Sequence, residues 1–394
     1  MDQDPRERCP VCDGDSLAAL FERGRVPTVL NRLYAGCSRA RRALTGQLEI
    51  VVCRSCGFAF NRRFNPSLVA YDTDYENDQG NSPAFAAYIS AMADRVLRAL
   101  DGRDSIEIVE IGCGQGGFLR ALIERAPGRI ATAIGCDPAW RSPAPRGPVR
   151  IERRAFDASV IPLAAMQVDA IISRHVIEHV PEPFHFLREI RNALPASWNG
   201  RLFLETPSLE WILRNSVPYD FFYEHCSYFS APALRHVLAR AGFRPRVVEP
   251  VFGGQYYWVE AAASRPQEPK VQEIEELMSL TAACQTRTDE MIAGWRGRLP
   301  SLRVRGGIAI WGAGAKGITL ANALDPTAQW ITCLVDINPA KQDRFTPMSA
   351  HAVCSPLQAT QRGVATVIVA NPNYRSEIKA TLEELRIPAT LLDP

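Results

Sequence analysis

The stretch Ser105–Leu119, SIEIVEIGCGQGGFL, constrains the fold more than any other part of the chain. Its apolar positions Ile106, Ile108, Val109 and Ile111 stop abruptly at closely spaced glycines, which reads as a buried strand, a tight turn and a helix start. Gly112, Gly114 and Gly117 satisfy the G-x-G-x-x-G dinucleotide pattern, while Glu110, Gly112, Gly114 and Gly116 satisfy E-x-G-x-G-x-G equally well. The glycines alone do not choose, and a purely structural strand-turn-helix would carry them too.

Glu110 loosens the tie. A carboxylate beside the loop would repel a pyrophosphate, but it can hold the cationic amino-acid end of S-adenosylmethionine (SAM). After the next apolar run, Arg129–Cys136, comes Asp137, followed by Pro138, at the expected end of a second strand. A carboxylate there can accept from ribose hydroxyls. At these residues the chain resembles the class I SAM-dependent methyltransferases.

The alternation of strands and helices then continues, with strands expected at Val149–Ala155, Asp169–Ser173 and Gly200–Glu205, giving a doubly wound parallel sheet. Phe156 and Asp157 follow the third strand, placed to stack on an adenine and accept from its amine. Two last strands, Arg244–Val251 and Gln255–Ala262, flank Phe252-Gly253-Gly254, which has hairpin chemistry. Arg174 to Val180 contains H-x-x-E-H, also the inverted metalloprotease pattern. Because it follows the buried strand DAIIS, Arg174 and His175 are assigned to the cofactor pocket rather than to a metal.

The excursion Thr206–Ser230 after the fifth strand should overhang the reacting methyl group, since ligands bind at the carboxyl ends of such strands. It holds PYDFFYEHCSYFS, which brings Tyr223, Glu224, His225 and Tyr228 together among phenylalanines. An imidazole beside a carboxylate in an aromatic, water-excluding wall suits a general base, although a hydrogen-bonded core histidine is the plain alternative.

At the amino-terminal side lie two C-x-x-C pairs, Cys9-Pro-Val-Cys12 and Cys53-Arg-Ser-Cys56, each with a glycine close behind. Two such turns complete a closed tetrahedral thiolate site, so a structural zinc is expected. Strands at Leu17–Phe21 and Leu44–Val52 would form a small ribbon that needs the metal. The amino terminus is polar and no apolar run is long enough to span a membrane, so the chain reads as cytoplasmic, where eleven cysteines do not imply disulfides. Forty-five Lys+Arg against 43 Asp+Glu leave a charge of +2, which argues against a nucleic-acid binder driven by bulk charge and favours a small-molecule partner. Between module and sheet, Ser82-Pro83 caps a helix expected over Phe85–Leu100, and the loop before it, with Tyr75, Glu76 and Asn77, is free to cover a site.

From Pro266 a Pro/Glu/Lys-rich start becomes an amphipathic connector. A second nucleotide-type start follows, with the strand Gly307–Trp311, the loop Gly312-Ala313-Gly314-Ala315-Lys316-Gly317 and a second strand ending at Asp336. A third strand, Val364–Val369, closes a half-sized unit that can bind a nucleotide diphosphate through its loop and Lys316, or merely frame the substrate.

The zinc module, the SAM core with Y-E-H-x-x-Y-F-S, the GGQYYWVE hairpin and the WGAGAKG lobe together resemble the three-part C-methyltransferases that act on nucleotide-linked 4-keto deoxysugars. The resemblance spans nearly the whole chain. It implies an α/β fold: a zinc-ribbon-like module over 1–70, a class I methyltransferase Rossmann-like sheet with helical lead-in over 71–265, and a connector and half-Rossmann domain over 266–394. It implies His225 as the base next to the ketone, Glu224 orienting it, and Tyr75 lining the sugar site, with Tyr75 or Tyr223 meeting the enolate oxygen. The family's Tyr-His-Glu-His run is altered here: Phe222 takes the place of its substrate tyrosine and Tyr223 that of the histidine. O- or N-methylation of a metabolite is the nearest alternative, and a zinc-ribbon protein that modifies RNA is a more distant one.

Overall fold

The computed structural model describes residues 5–76, 80–143, 147–158, 161, 163–267 and 274–394, without the side chain of residue 165. Asn77 and the 268–273 part of the connector lie outside the described residues.

The amino-terminal module contains β1 (Leu17–Pro27), a short α1 (Cys37–Arg41), β2 (Thr45–Cys53) and β3 (Ala59–Asn61), all pairing antiparallel. One C-x-x-C turn precedes β1, and the other joins β2 to β3. Next comes α2 (Pro83–Ala99), where Ser82 Oγ accepts from Phe85 N at 3.2 Å and Pro83 occupies the first turn, whose N–H groups need no helical partner.

The central layer runs β4 (Ile106–Ile111), α3 (Gly117–Arg125), β5 (Ile130–Cys136), β6 (Val149–Glu152), β7 (Ala170–Arg174), α4 (Pro183–Ala193), β8 (Arg201–Pro207), α5 (Leu209–Arg214), β9 (Ser227–Tyr228), α6 (Ala231–Ala241), β10 (Phe243–Val251) and β11 (Tyr256–Ala263). Seven strands form one sheet in the order β10-β11-β8-β7-β4-β5-β6, with β11 antiparallel to both neighbours. Phe252, Gly253 and Gly254 all have positive φ, and this turn folds β11 back between β8 and β10. The strand order reverses between β4 and β7, so their carboxyl ends open a crevice there. The third strand stops at Glu152, leaving Phe156 and Asp157 in the loop beyond it.

The carboxyl-terminal part comprises α7 (Glu275–Ala282), α8 (Cys284–Val304), β12 (Gly307–Trp311), α9 (Ala315–Leu324), β13 (Cys333–Val335), β14 (Val353–Cys354), α10 (Pro356–Gln361), β15 (Val364–Val369), α11 (Arg375–Glu384) and β16 (Thr390–Leu392). Its sheet is parallel in the order β14-β13-β12-β15-β16. Strands β14 and β16, two and three residues long, add to the three read from sequence.

Two features join the parts. Strand β9, two residues beyond His225, pairs with β3 and becomes the fourth strand of the amino-terminal sheet. Lys316 of the carboxyl-terminal glycine loop forms a buried ion pair with Asp220. Among the described residues no helix is long and apolar enough to cross a membrane.

Candidate functional site

Both glycine loops face one cavity of about 930 Å3. Its floor is the crevice between β4 and β7, and its far wall is the carboxyl-terminal lobe, including Trp311, Asp336, Asn338, Lys341 and Tyr374.

At the floor, Gly112 has a φ of 73°, and a Cβ there would stand 2.2 Å from Val176, so the turn admits no side chain. Glu110, on β4, lines the cavity and is 2% exposed. Its Oε2 has no hydrogen-bond partner among the described residues. Burial pushes its carboxyl up to about 8, against the pull of Arg174 and with a further push from Asp137. A buried acid with an orphaned oxygen is relieved by an incoming cation, so the ammonium of a bound SAM fits.

Asp137 lies at the end of β5. Its Oδ2 accepts from Gly114 N at 2.8 Å and its Oδ1 from Ala139 N at 2.7 Å, so it ties the loop to the following turn. An ionised carboxylate retains further acceptor capacity for two ribose hydroxyls. Burial raises its pKa, opposed by those two backbone hydrogens. Pro138 and Phe156 line the same end of the cavity. Replacing Asp137 with Ala removes a charge-assisted acceptor and the tie on Gly114. SAM affinity is expected to fall by about 1.5–3 kcal/mol, or roughly 10- to 100-fold, by calorimetry. Equal affinity in the variant would place the ribose elsewhere.

Between the two ends sits a charged layer. Arg174 reaches Glu205 Oε1 at 2.9 Å, and Tyr88 donates to Glu205 Oε2 at 2.6 Å. His175 has a φ of 53°, an uncommon conformation for a non-glycine residue. Its Nδ1 lies 3.2 Å from Glu178 and its Nε2 2.7 Å from Glu205. Burial opposes charging of His175, but the two carboxylates outweigh it and raise the imidazole to about 9. Burial would likewise raise Glu205, yet Arg174 and His175 bring it down to about 2. Arg174 and His175 therefore line the cavity with their charges turned to Glu205.

The H-x-x-E-H segment forms a 3-10 turn, Ile177–His179, not an α-helix. His175 and His179 thus do not make the pair of ligands the protease pattern needs. Glu178, His179 and His225 do bring ligand atoms within 4.8 Å of one another. Glu178, however, is already engaged by His175 and by Thr206 at 3.2 Å, so this group is accounted for by hydrogen bonding.

His225 reaches the cavity from the excursion after β8. Its ring lies 4.7 Å from His179 and 4.8 Å from Phe222, both edge-on, and its Nδ1 has no partner among the described residues. Burial first, then the charges of His179, His175 and Lys316, hold its pKa well below the ordinary value. Its neutral form is therefore favoured, and that Nδ1 is buried without a partner among the described residues.

Two sequence expectations need correction. Glu224 does not orient His225: its Oε1 accepts from Leu30 N at 2.9 Å and its Oε2 from Tyr75 Oη at 2.8 Å. Tyr223 turns away from the cavity, its hydroxyl accepting from Asn65 N at 2.9 Å and its ring packing on Gly46 and Phe64. Adjacent residues point to opposite sides here, and Phe222 holds the cavity face. Tyr75 does line the cavity, accepting from Asn31 Nδ2 at 3.2 Å while donating to Glu224. Tyr71 and Asn31 were not singled out from sequence, and His179 was read only as part of the H-x-x-E-H segment. Nδ1 of His179 lies 3.0 Å from the Glu224 carbonyl and 2.7 Å from Tyr71 Oη. A carbonyl only accepts, so a His179 hydrogen sits on Nδ1.

In the amino-terminal module the four sulfurs of Cys9, Cys12, Cys53 and Cys56 all lie within 4.8 Å of one another. Cys9 and Cys53 also accept from Val11 N and Ser55 N, both at 3.4 Å. Such a set can hold a tetrahedral zinc with no position open for catalysis.

The sheet order, the glycine loop and the orphaned acid beside it define a SAM-dependent methyltransferase. Residues 85–248 match the family described as Methyltransferase domain, and residues 253–389 match the C-methyltransferase C-terminal domain. C-methyltransferase NovU of Streptomyces niveus is 25% identical, over 95% of this chain and 91% of that protein. A ubiquinone biosynthesis O-methyltransferase of Dinoroseobacter shibae is 30% identical, over 27% of this chain and 44% of that one. The SAH-bound structure of CalO1, a methyltransferase in calicheamicin biosynthesis, is 18% identical, over 46% of this chain and 54% of that one, with a TM-score of 0.36. The chain carries a methyltransferase domain followed by a C-methyltransferase C-terminal domain.

Proposed function

We propose that the enzyme methylates a carbon next to a carbonyl, on a nucleotide-linked keto sugar or a related small metabolite, with His225 as the base. The observation that carries this reading is His225 itself, an imidazole favoured in its neutral form, with an Nδ1 unpartnered among the described residues, that lines the cavity shared by the SAM end and the carboxyl-terminal lobe. Bound SAM supplies an electrophilic methyl group, and the remaining need is a carbon nucleophile. His225 takes the proton next to the carbonyl, and the surrounding Phe222 and His179 rings limit water. Glu110 holds the ammonium of SAM, Asp137 its ribose, and Phe156 its adenine, whereas Asp157 is exposed outside the cavity lining. Tyr75 forms the polar wall beside the reacting carbon together with Glu224, which is a positioning residue for that tyrosine. The far wall, with Lys341 and Asn338 in the cavity lining, faces the rest of the substrate. Cys9, Cys12, Cys53 and Cys56 hold a structural zinc.

The test is proton exchange. In heavy water without SAM, enzyme and a candidate nucleotide-linked 4-keto sugar should show deuterium entering the carbon beside the ketone. Methylated product with neither exchange nor a new carbon-carbon bond returns O-methylation to first place.

A further inference from the structure

A second cavity, of about 230 Å3, lies where the amino-terminal module, α8 and α9 meet. It is lined by three arginines, Arg23 and Arg25 from β1 and Arg296 from α8, and by no aspartate or glutamate. None of the three forms an ion pair among the described residues. Arg25 instead donates from Nε and Nη2 to Thr45 Oγ1 at 3.1 and 3.0 Å. Arg296 donates from Nε and Nη2 to the Ala323 carbonyl at 3.1 and 2.7 Å. Arg23 lies over the Phe21 ring at 5.3 Å. Each guanidinium has five donors, so every one of them retains hydrogens to offer.

Three like charges around one opening attract a counter-ion. Their effect is visible at Arg23, which burial and then the charge of Arg296 push down to about 10, with only Asp289 pulling the other way. Asp289 is itself held by Gln285 at 3.1 Å. Planar guanidinium forks match the oxygens of a phosphate, and the space is below the roughly 300–1,000 Å3 of pockets that take drug-sized ligands.

We infer that this cavity is a binding site for a small phosphate dianion, either free phosphate or a compact phosphorylated metabolite, separate from the SAM and substrate cavity. The two cavities share a wall. Phe222 lines both and packs edge-on against His225, and Leu30, in the second, donates its N–H to Glu224. An anion seated among the arginines thus rests on the back of the segment that carries the base.

The experiment is calorimetric titration of the full chain with sodium phosphate, and separately with glycerol 3-phosphate, at constant ionic strength against sodium chloride. Both should bind, and more weakly as salt rises. Arg25→Gln and Arg296→Gln should each weaken binding by about tenfold, since each removes charge-assisted donors. Both side chains are exposed, so the variants keep the fold, and unchanged SAM affinity reports it. Tighter binding of glycerol 3-phosphate assigns the site to a phosphorylated metabolite, and equal binding assigns it to the free ion. No heat beyond the chloride control, or phosphate binding that persists unchanged in both variants, overturns the inference.

Discussion

Replacing His225 with Gln is expected to lower methyl transfer by roughly 10²- to 10⁴-fold, the usual contribution of a positioned base, and to abolish deuterium exchange while leaving SAM affinity intact. The expectation rests on where the difficulty lies. The methyl donor arrives activated, so the barrier left to the protein is formation of the carbanion, and His225 is the imidazole whose Nδ1 is left without a partner in the shared cavity. Its pH dependence has a defined sign. An ordinary histidine titrates near about 6.5, but burial and the nearby cationic groups depress His225. The neutral, base-competent form therefore persists as pH falls through the ordinary range, and turnover should stay flat from neutral into mildly acid solution. Unfolded chains bind the proton more readily than the folded one, so this residue's contribution to stability is lost as pH drops below about 6.5. A turnover profile that falls with a midpoint at 6.5 or above, or a glutamine variant with normal turnover, would remove His225 from the role of base.

What could be read from sequence follows from the range of the interaction. Glu110, Gly112 and Asp137 belong to a local strand-turn-helix pattern, so their spacing along the chain already places them at one end of the sheet. The two cysteine turns are legible for the same reason. Tyr223 and Glu224 are different, because their partners are Asn65, Leu30 and Tyr75, separated by 158, 194 and 149 positions. Proximity of Glu224 to His225 in sequence suggested a pair, but the chain bends at Tyr223 and Glu224, and the Glu224 carboxylate is taken up by Leu30 N and Tyr75 Oη. Tyr71 and His179, joined across 108 positions, were hidden likewise. Strands β14 and β16 are too short to show any period, and they exist because β13 and β15 offer them an edge to pair with.

Replacing Cys12 with Ala, or stripping the protein with a strong chelator, is expected to remove about one zinc per chain and to damage the catalytic site some distance away. Structural zinc contributes on the order of 10 kcal/mol of apparent folding free energy in small modules, more than any single contact in the cavity can offset. The route to the site is explicit. The turn Cys53–Cys56 joins β2 to β3, and β3 pairs with β9 through Ala59 with Tyr228 and Phe60 with Ser227. Ser230 Oγ also donates to the Gly57 carbonyl at 2.9 Å. Strand β9 starts two residues after His225, so loosening the metal turn frees the segment that presents the base. SAM binding depends on β4 and β5, which share no strand pairing with the module, and should survive better than turnover. Metal content by elemental analysis, thermal unfolding and deuterium exchange are read on the same preparation. A Cys12→Ala protein that lacks metal yet unfolds at the parent's temperature and still exchanges its substrate proton would show that the four thiols are an incidental cluster and that β9 is held by strand pairing alone.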